Sequence, residues 1–168
     1  MTLSHRWILA LALGLSLSGC FSKKAAPVGT ATPNPPVAQG QSLYQANCQT
    51  CHQADGRGVP GSYPALDGSE WLDGEPDAPI AIVLMGLEGE ITVKGETYQS
   101  QMPPLDILTD GQVADILTYV RASWNNSAGP VSDEQVKALR AKLEGRGKSW
   151  NGKAELREFL GDKAPPQV

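Results

Sequence analysis

Several things are scarce in this chain of 168 residues, and each shortage closes off a class of answer. Positive charge is short in the middle of the chain. From residue 40 to 125 there are three Lys/Arg (Arg57, Lys94, Arg121) against twelve Asp/Glu, a local net charge of −9. With an overall charge of −4 and a pI near 5.1, the chain has no basic footprint for nucleic acid. Long apolar runs are absent as well. The longest, Trp7–Leu17, has eleven residues, and a membrane-spanning helix needs about 20. Aromatic residues make up 6%, so a core of ordinary size needs apolar bulk from another source. Histidine occurs twice, methionine three times and cysteine three times, which leaves few soft ligands for any metal. Internal repeats are lacking, and no alternating strand–helix series suggests a parallel sheet.

The N-terminus carries a compartment signal. Met1–Arg6 is weakly basic and Trp7–Leu17 is almost continuously apolar, the proportions of an export signal. The run ends in Leu17-Ser18-Gly19-Cys20, which resembles the lipobox of bacterial lipoproteins. That resemblance implies cleavage before Cys20 and lipidation of Cys20; an ordinary cleaved signal is the alternative. Residues 1–19 are therefore expected to be a signal peptide. Residues 20–39, with Pro27, Pro33, Pro35 and Pro36, are expected to form an extended tether behind the anchor. The expected location is the periplasmic side of a bacterial membrane.

The remainder reads as mainly α. Residues 40–51 have helix-compatible spacing and run into a cysteine pair. Residues 57–76, rich in Gly, Pro and Asp, read as loop. Ile80, Val83, Leu84 and Leu87 fall at i, i+3, i+4 and i+7, which predicts a short helix over 79–87. Residues 91–98 predict a hairpin turning at Lys94-Gly95. The strongest helix signal covers 110–124, where Thr109 and Gln112 make a capping box and Val113, Ile116, Leu117 and Val120 make one apolar stripe. Ser132 and Gln135 repeat the box ahead of Val136, Leu139 and Leu143, and a last helix is expected around Leu156, Phe159 and Leu160.

The chemistry is concentrated in Cys48-Gln49-Thr50-Cys51-His52. Two thiols about one helical turn apart can meet two vinyl groups on one side of a porphyrin, and the adjacent imidazole then faces the iron. Cys-x-x-Cys-His is accordingly the attachment signature of c-type haem. Structural zinc needs four Cys/His ligands, more than the mature chain offers if Cys20 is lipidated. A thioredoxin-like redox pair expects a βαβ setting. A plain disulfide across two residues would close too small a loop to stabilise much.

With His5 in the signal, His52 is the remaining histidine and the second axial ligand must come from elsewhere. Met85 sits in an apolar helix and reads as packing. Met102, in Gln101-Met102-Pro103-Pro104, stands on a loop that the prolines stiffen, so its thioether is the expected ligand. Occupation of both axial positions disfavours substrate chemistry at the iron and leaves electron transfer.

From residue 40 to 124 the chain resembles a class I, mono-haem cytochrome c domain. The resemblance rests on Gly40-x-x-Leu43-Tyr44-x-x-x-Cys48-x-x-Cys51-His52, Gly56-x-Gly58, Pro64-Ala65-Leu66, Met102-Pro103-Pro104 and Leu117-Thr118-Tyr119-Val120-Arg121. It implies a fold of short helices around one covalent haem c, and a close crossing of the first and 110–124 helices at Gly40, Tyr44 and Tyr119. It also implies a Pro64 carbonyl that accepts the His52 ring N–H, and Leu66 packed on the haem. Tyr98, Trp71 and Arg57 would either touch the haem edge or propionates, or serve ordinary packing and solvent contact. The domain is expected over 40–125, with a helical extension over 126–168 that either wraps the core or docks a partner. The function expected is membrane-tethered single-electron transfer between redox partner proteins, as a carrier or as a subunit of a respiratory or quinoprotein system. A haem-based small-ligand enzyme or sensor with displaceable Met102 is the alternative.

Overall fold

The computed structural model describes residues 35–164. The signal segment, Cys20 and most of the Pro-rich stretch lie outside the described residues. In chain order the elements are α1 (Pro35–Asn47), α2 (Gln49–His52), α3 (Asp77–Met85), β1 (Leu87–Glu88), β2 (Ile91–Val93), β3 (Glu96–Tyr98), α4 (Asp110–Arg121), α5 (Asp133–Lys142), β4 (Trp150–Asn151), α6 (Gly152–Leu160) and a closing 3-10 turn (Gly161–Lys163). The architecture is mainly α, with one small hairpin, as the sequence pattern predicts.

Helix α1 starts inside the stretch read as tether. Pro35 and Pro36 occupy its first positions, where the missing N–H would have had no partner in any case. Helix α1 therefore includes residues ahead of Gly40. Gly40 is where α1 meets α4: a Cβ there would overlap the Asp115 carbonyl oxygen and come within 2.8 Å of Tyr119 Cβ. Absence of a side chain sets the distance between these two helices.

Helix α4 carries the expected capping box, with Thr109 and Gln112 each bonding the other's backbone. Its buried face includes Val113, Ile116, Leu117 and Val120. It stops at Arg121, three residues short of Trp124, with Ala122 as its C-cap, and Trp124 then adopts a left-handed conformation (φ 55°). That turn brings the indole against Tyr44 and Tyr119, at ring-centroid distances of 5.4 and 5.9 Å. The hairpin pairs Ile91 with Tyr98 and Val93 with Glu96. Lys94 and Gly95 both have positive φ, as a two-residue turn matched to the strand twist requires.

The C-terminal segment is built into the same body. Helix α5 has its own capping box, Ser132 with Gln135, and buries Val136 and Leu139. Strand β4 then pairs in parallel with β1, Leu87 opposite Trp150. Trp150 is fully buried and donates its indole N–H to the Ala81 carbonyl at 2.9 Å. Leu143, Trp150 and Leu156 join Tyr44, Leu84 and Ile116 in one continuous core. Residues 126–164, the described part of the 126–168 segment, thus pack against the core.

Candidate cofactor site

The Cys-x-x-Cys-His turn grows directly out of α1. The Cys48 N–H donates to the Tyr44 carbonyl at 2.8 Å, and the N–H groups of Cys51 and His52 both return to the Cys48 carbonyl at 3.2 and 2.9 Å. Neither cysteine is in a disulfide, and both stand on one short turn. The turn ends at Gln53, whose φ of 63° reverses the chain, and the Tyr44 hydroxyl holds the Gln53 carbonyl at 2.6 Å. Tyr44 is buried; burial, with Cys48 nearby, pushes its phenol well above the ordinary range, so it remains a donor.

The loop that follows presents a carbonyl to the histidine. Gly58 has positive φ, and a Cβ there would overlap the carbonyl oxygens of Tyr63 and Pro64. The close approach folds residues 53–64 back so that Pro64 O lies 3.0 Å from His52 Nδ1. A carbonyl can only accept, so Nδ1 carries the proton in this bond and Nε2 keeps its lone pair. Burial lowers the His52 pKa, with the Pro64 hydrogen bond working partly against it. The imidazole is thereby kept neutral, the form that binds a metal. Burial and the neighbouring Cys51 raise the Cys48 thiol to about 11.

Met102 is placed by its backbone partner Leu87. Its backbone exchanges two hydrogen bonds with Leu87, 2.9 Å from Leu87 N to Met102 O and 2.8 Å in return. Leu105 N–H adds a bond to Val83 O at 2.8 Å. Gly86 allows the approach, since a Cβ there would sit 2.6 Å from the Met102 carbonyl oxygen.

These segments enclose one cavity, lined among others by Cys48, Cys51, His52, Pro64, Leu66 and Met102. Tyr98 and Trp71 also line it; Met85 does not, and packs on the core. The cavity volume is about 190 Å³. Apart from the two thiols, the imidazole and the thioether, the wall is largely aliphatic and aromatic. A large, flat, apolar macrocycle with an iron centre suits this lining, because imidazole and thioether are its usual axial donors. Among the described residues, no cluster of three or more His, Cys, Asp or Glu is arranged to hold a metal by protein ligands alone.

Tyr98 and Trp71 keep their polar atoms satisfied. The Tyr98 hydroxyl donates to Glu96 at 2.7 Å, and burial together with this bond raises it to about 12. The Trp71 indole N–H donates to Thr92 O at 2.8 Å. Arg57 stands elsewhere: its side chain is 76% exposed and lies beside Asp55 and Asp67.

Two residues outside the cavity wall hold the segments that form it. Buried Asn126 accepts from Gly68 N–H at 2.9 Å and donates to Leu66 O and Val120 O at 3.0 and 2.8 Å. It fixes the loop that bears Leu66. Arg121 is 3% exposed and ties together the carbonyls of Leu72 and Gly74, both at 2.7 Å, and Gly129, at 3.0 Å. Burial lowers its pKa while Asp73 and Glu75 oppose the shift. In the sequence Arg121 closes the Leu117–Arg121 motif, which does not show the carbonyls it binds.

The Cytochrome c family model matches residues 37–124. Cytochrome c-552 of Thermus thermophilus is 37% identical over 114 residues, which cover 62% of this chain and 86% of that protein. The fructose dehydrogenase cytochrome subunit of Gluconobacter japonicus is 37% identical over 112 residues, 62% of this chain and 22% of the subunit. The cbb3-type cytochrome c oxidase subunit FixPc of Rhizobium leguminosarum bv. viciae is 31% identical over 124 residues, 71% and 42% of the two chains.

Proposed function

The chain belongs to the cytochrome c family and is a c-type electron carrier with covalently bound haem c, and on that premise we propose that it is a membrane-tethered, periplasmic mono-haem relay. Cys48 and Cys51 would carry the haem through thioether links, and His52 and Met102 would hold its iron. Haem c, when bound, supplies a single-electron Fe(II)/Fe(III) couple. The chain's own residues supply the rest. The Pro64 carbonyl orients the His52 ring and makes it a better donor. The Met102 thioether, bound to the iron, would favour the reduced state and leave no position open to substrate. Leu66, Trp71 and Tyr98 keep water from the macrocycle, which limits reorganisation when charge changes.

The observation that carries this reading is the apolar cavity whose wall bears both thiols, the imidazole and the thioether. Met102→Ala tests it. The variant is expected to have a lower midpoint potential and to bind cyanide in the ferric state, where the unmutated protein resists it. An unchanged spectrum and potential would remove Met102 from the site.

The tether reading rests on Leu17-Ser18-Gly19-Cys20 and the proline-rich stretch behind it. Cys20→Ser should move the cytochrome from the membrane to the soluble periplasmic fraction; continued membrane retention would count against lipidation. Redox partner proteins are expected to be dehydrogenase or oxidase subunits, the assemblies named for several relatives. The charge of −9 over residues 40–125 favours a partner with a basic docking face.

A further inference from the structure

The C-terminal segment holds the Met102 loop from two sides. On one side, Leu87 exchanges both backbone hydrogen bonds with Met102, and the same residue pairs with Trp150. Trp150 N–H donates to Gly86 O at 3.1 Å, while its buried indole is fixed to Ala81 O at 2.9 Å. The strand that carries Met102's partner is thus sandwiched between the loop and β4. On the other side, Arg140 of α5 reaches across to the far end of the loop. Its Nη1 donates to Asp106 O at 3.1 Å, its Nη2 to Leu108 O at 2.7 Å, and its Nε to the Asp110 carboxylate at 2.7 Å. Between the two grips lie Pro103 and Pro104, which have no N–H to contribute.

We propose that Arg140 and Trp150 are positioning residues for Met102: the C-terminal segment braces the loop and sets how often the thioether leaves the iron. The inference rests on Met102 being the axial ligand. A thioether on a loop can dissociate only if the loop moves, and the loop moves only when its attachments at residues 102 and 106–110 loosen. Binding of an outside ligand then reports the open fraction, since only that fraction is competent. Charged hydrogen bonds to two carbonyls at one end make Arg140 the stronger lever, and its position at the surface edge makes its removal tolerable to the fold.

The test uses the haem-loaded full chain. Arg140→Gln is expected to raise the rate of cyanide binding to the ferric protein about tenfold, a shift of about 1.4 kcal/mol in loop opening. It should also weaken the Met–iron(III) charge-transfer absorption and speed amide exchange at Met102 and Leu87. Trp150→Phe, which keeps a ring but loses the N–H to Ala81, should shift the same three readouts in the same direction by less. Lys142→Gln, an exposed cation on the same helix, should leave them unchanged. Met102→Ala is measured alongside: if it leaves cyanide binding unaltered, the ligand assignment fails and the brace with it. If Met102→Ala opens the iron but Arg140→Gln and Trp150→Phe bind cyanide at the original rate, the brace alone is overturned. A lowered unfolding midpoint for Arg140→Gln with cyanide rate and exchange unchanged would also overturn it, since that is the mark of a purely structural role.

Discussion

Gly40→Ala sets two effects of similar size against each other, and the structure decides between them. Gly40 lies within helix α1, where alanine is ordinarily better than glycine by about 0.5–1 kcal/mol. By propensity alone the variant should be more stable. The new methyl group, however, would overlap the carbonyl oxygen of Asp115 and stand 2.8 Å from Tyr119 Cβ. Neither neighbour can rotate away, because one is backbone and the other is the first side-chain atom of a packed tyrosine. Relief requires α1 and α4 to separate, which also disturbs the Tyr44–Tyr119–Trp124 cluster beside the cysteine turn. Overpacking of this kind costs about 1–3 kcal/mol, and more when backbone is involved. The net expectation is a loss of about 2 kcal/mol. Urea unfolding of the haem-loaded protein should show a midpoint lower by roughly 1 M, given slopes of about 1–3 kcal/mol/M. Gly111→Ala provides the internal comparison. Gly111 is also helical, but a Cβ there meets nothing within 4 Å, so that variant should gain about 0.5–1 kcal/mol. If Gly40→Ala matches or exceeds the stability of the unmutated protein, the close helix crossing is not as described.

Glu155 is held at about 2 by Lys148, the Asn151 backbone and Arg146, contacts that fasten α6 to the turn before β4. A depressed carboxylate stabilises the fold above its unfolded value near 4.5 and loses that contribution as the pH falls through about 2. Glu155→Gln should therefore be less stable at neutral pH, by about 1–3 kcal/mol after allowance for partial exposure, and the gap should close between pH 4.5 and 2; parallel stability–pH curves would contradict the assignment. Asn126→Ala removes two donated bonds and one accepted bond in a buried setting and should cost about 2–4 kcal/mol. A loss below about 0.5 kcal/mol, within the range of ordinary surface substitutions, would mean that the loop bearing Leu66 is not pinned by this side chain.

What could be read from the sequence was whatever local chemistry announces. The two capping boxes, the Lys94-Gly95 turn and the apolar stripe of α4 depend on residues a few positions apart, and each signal is complete in itself. The cysteine turn is legible for the same reason. The start of α1 was hidden because proline, which breaks helices in the interior, is welcome in their first turn. The end of α4 was hidden because Trp124 has a suitable character for the stripe; only the aromatic partners Tyr44 and Tyr119, far away in sequence, show why it leaves the helix. The β1–β4 pairing joins two-residue strands more than sixty positions apart in the chain, too short to leave a period. Arg121, Asn126 and Arg140 act mainly on backbone carbonyls, and a carbonyl acceptor has no side-chain signature in the sequence.

The direct test of the account is whether the haem stays on the chain when the fold is removed. The purified protein is unfolded in denaturant, extracted with acidified organic solvent, and its haem quantified against polypeptide before and after. One haem per chain should remain with the polypeptide, with Cys48 and Cys51 unreactive to thiol alkylation, and the folded protein should titrate as a single one-electron couple. Haem that partitions into the solvent, with both cysteines alkylated freely, would contradict covalent attachment at this turn.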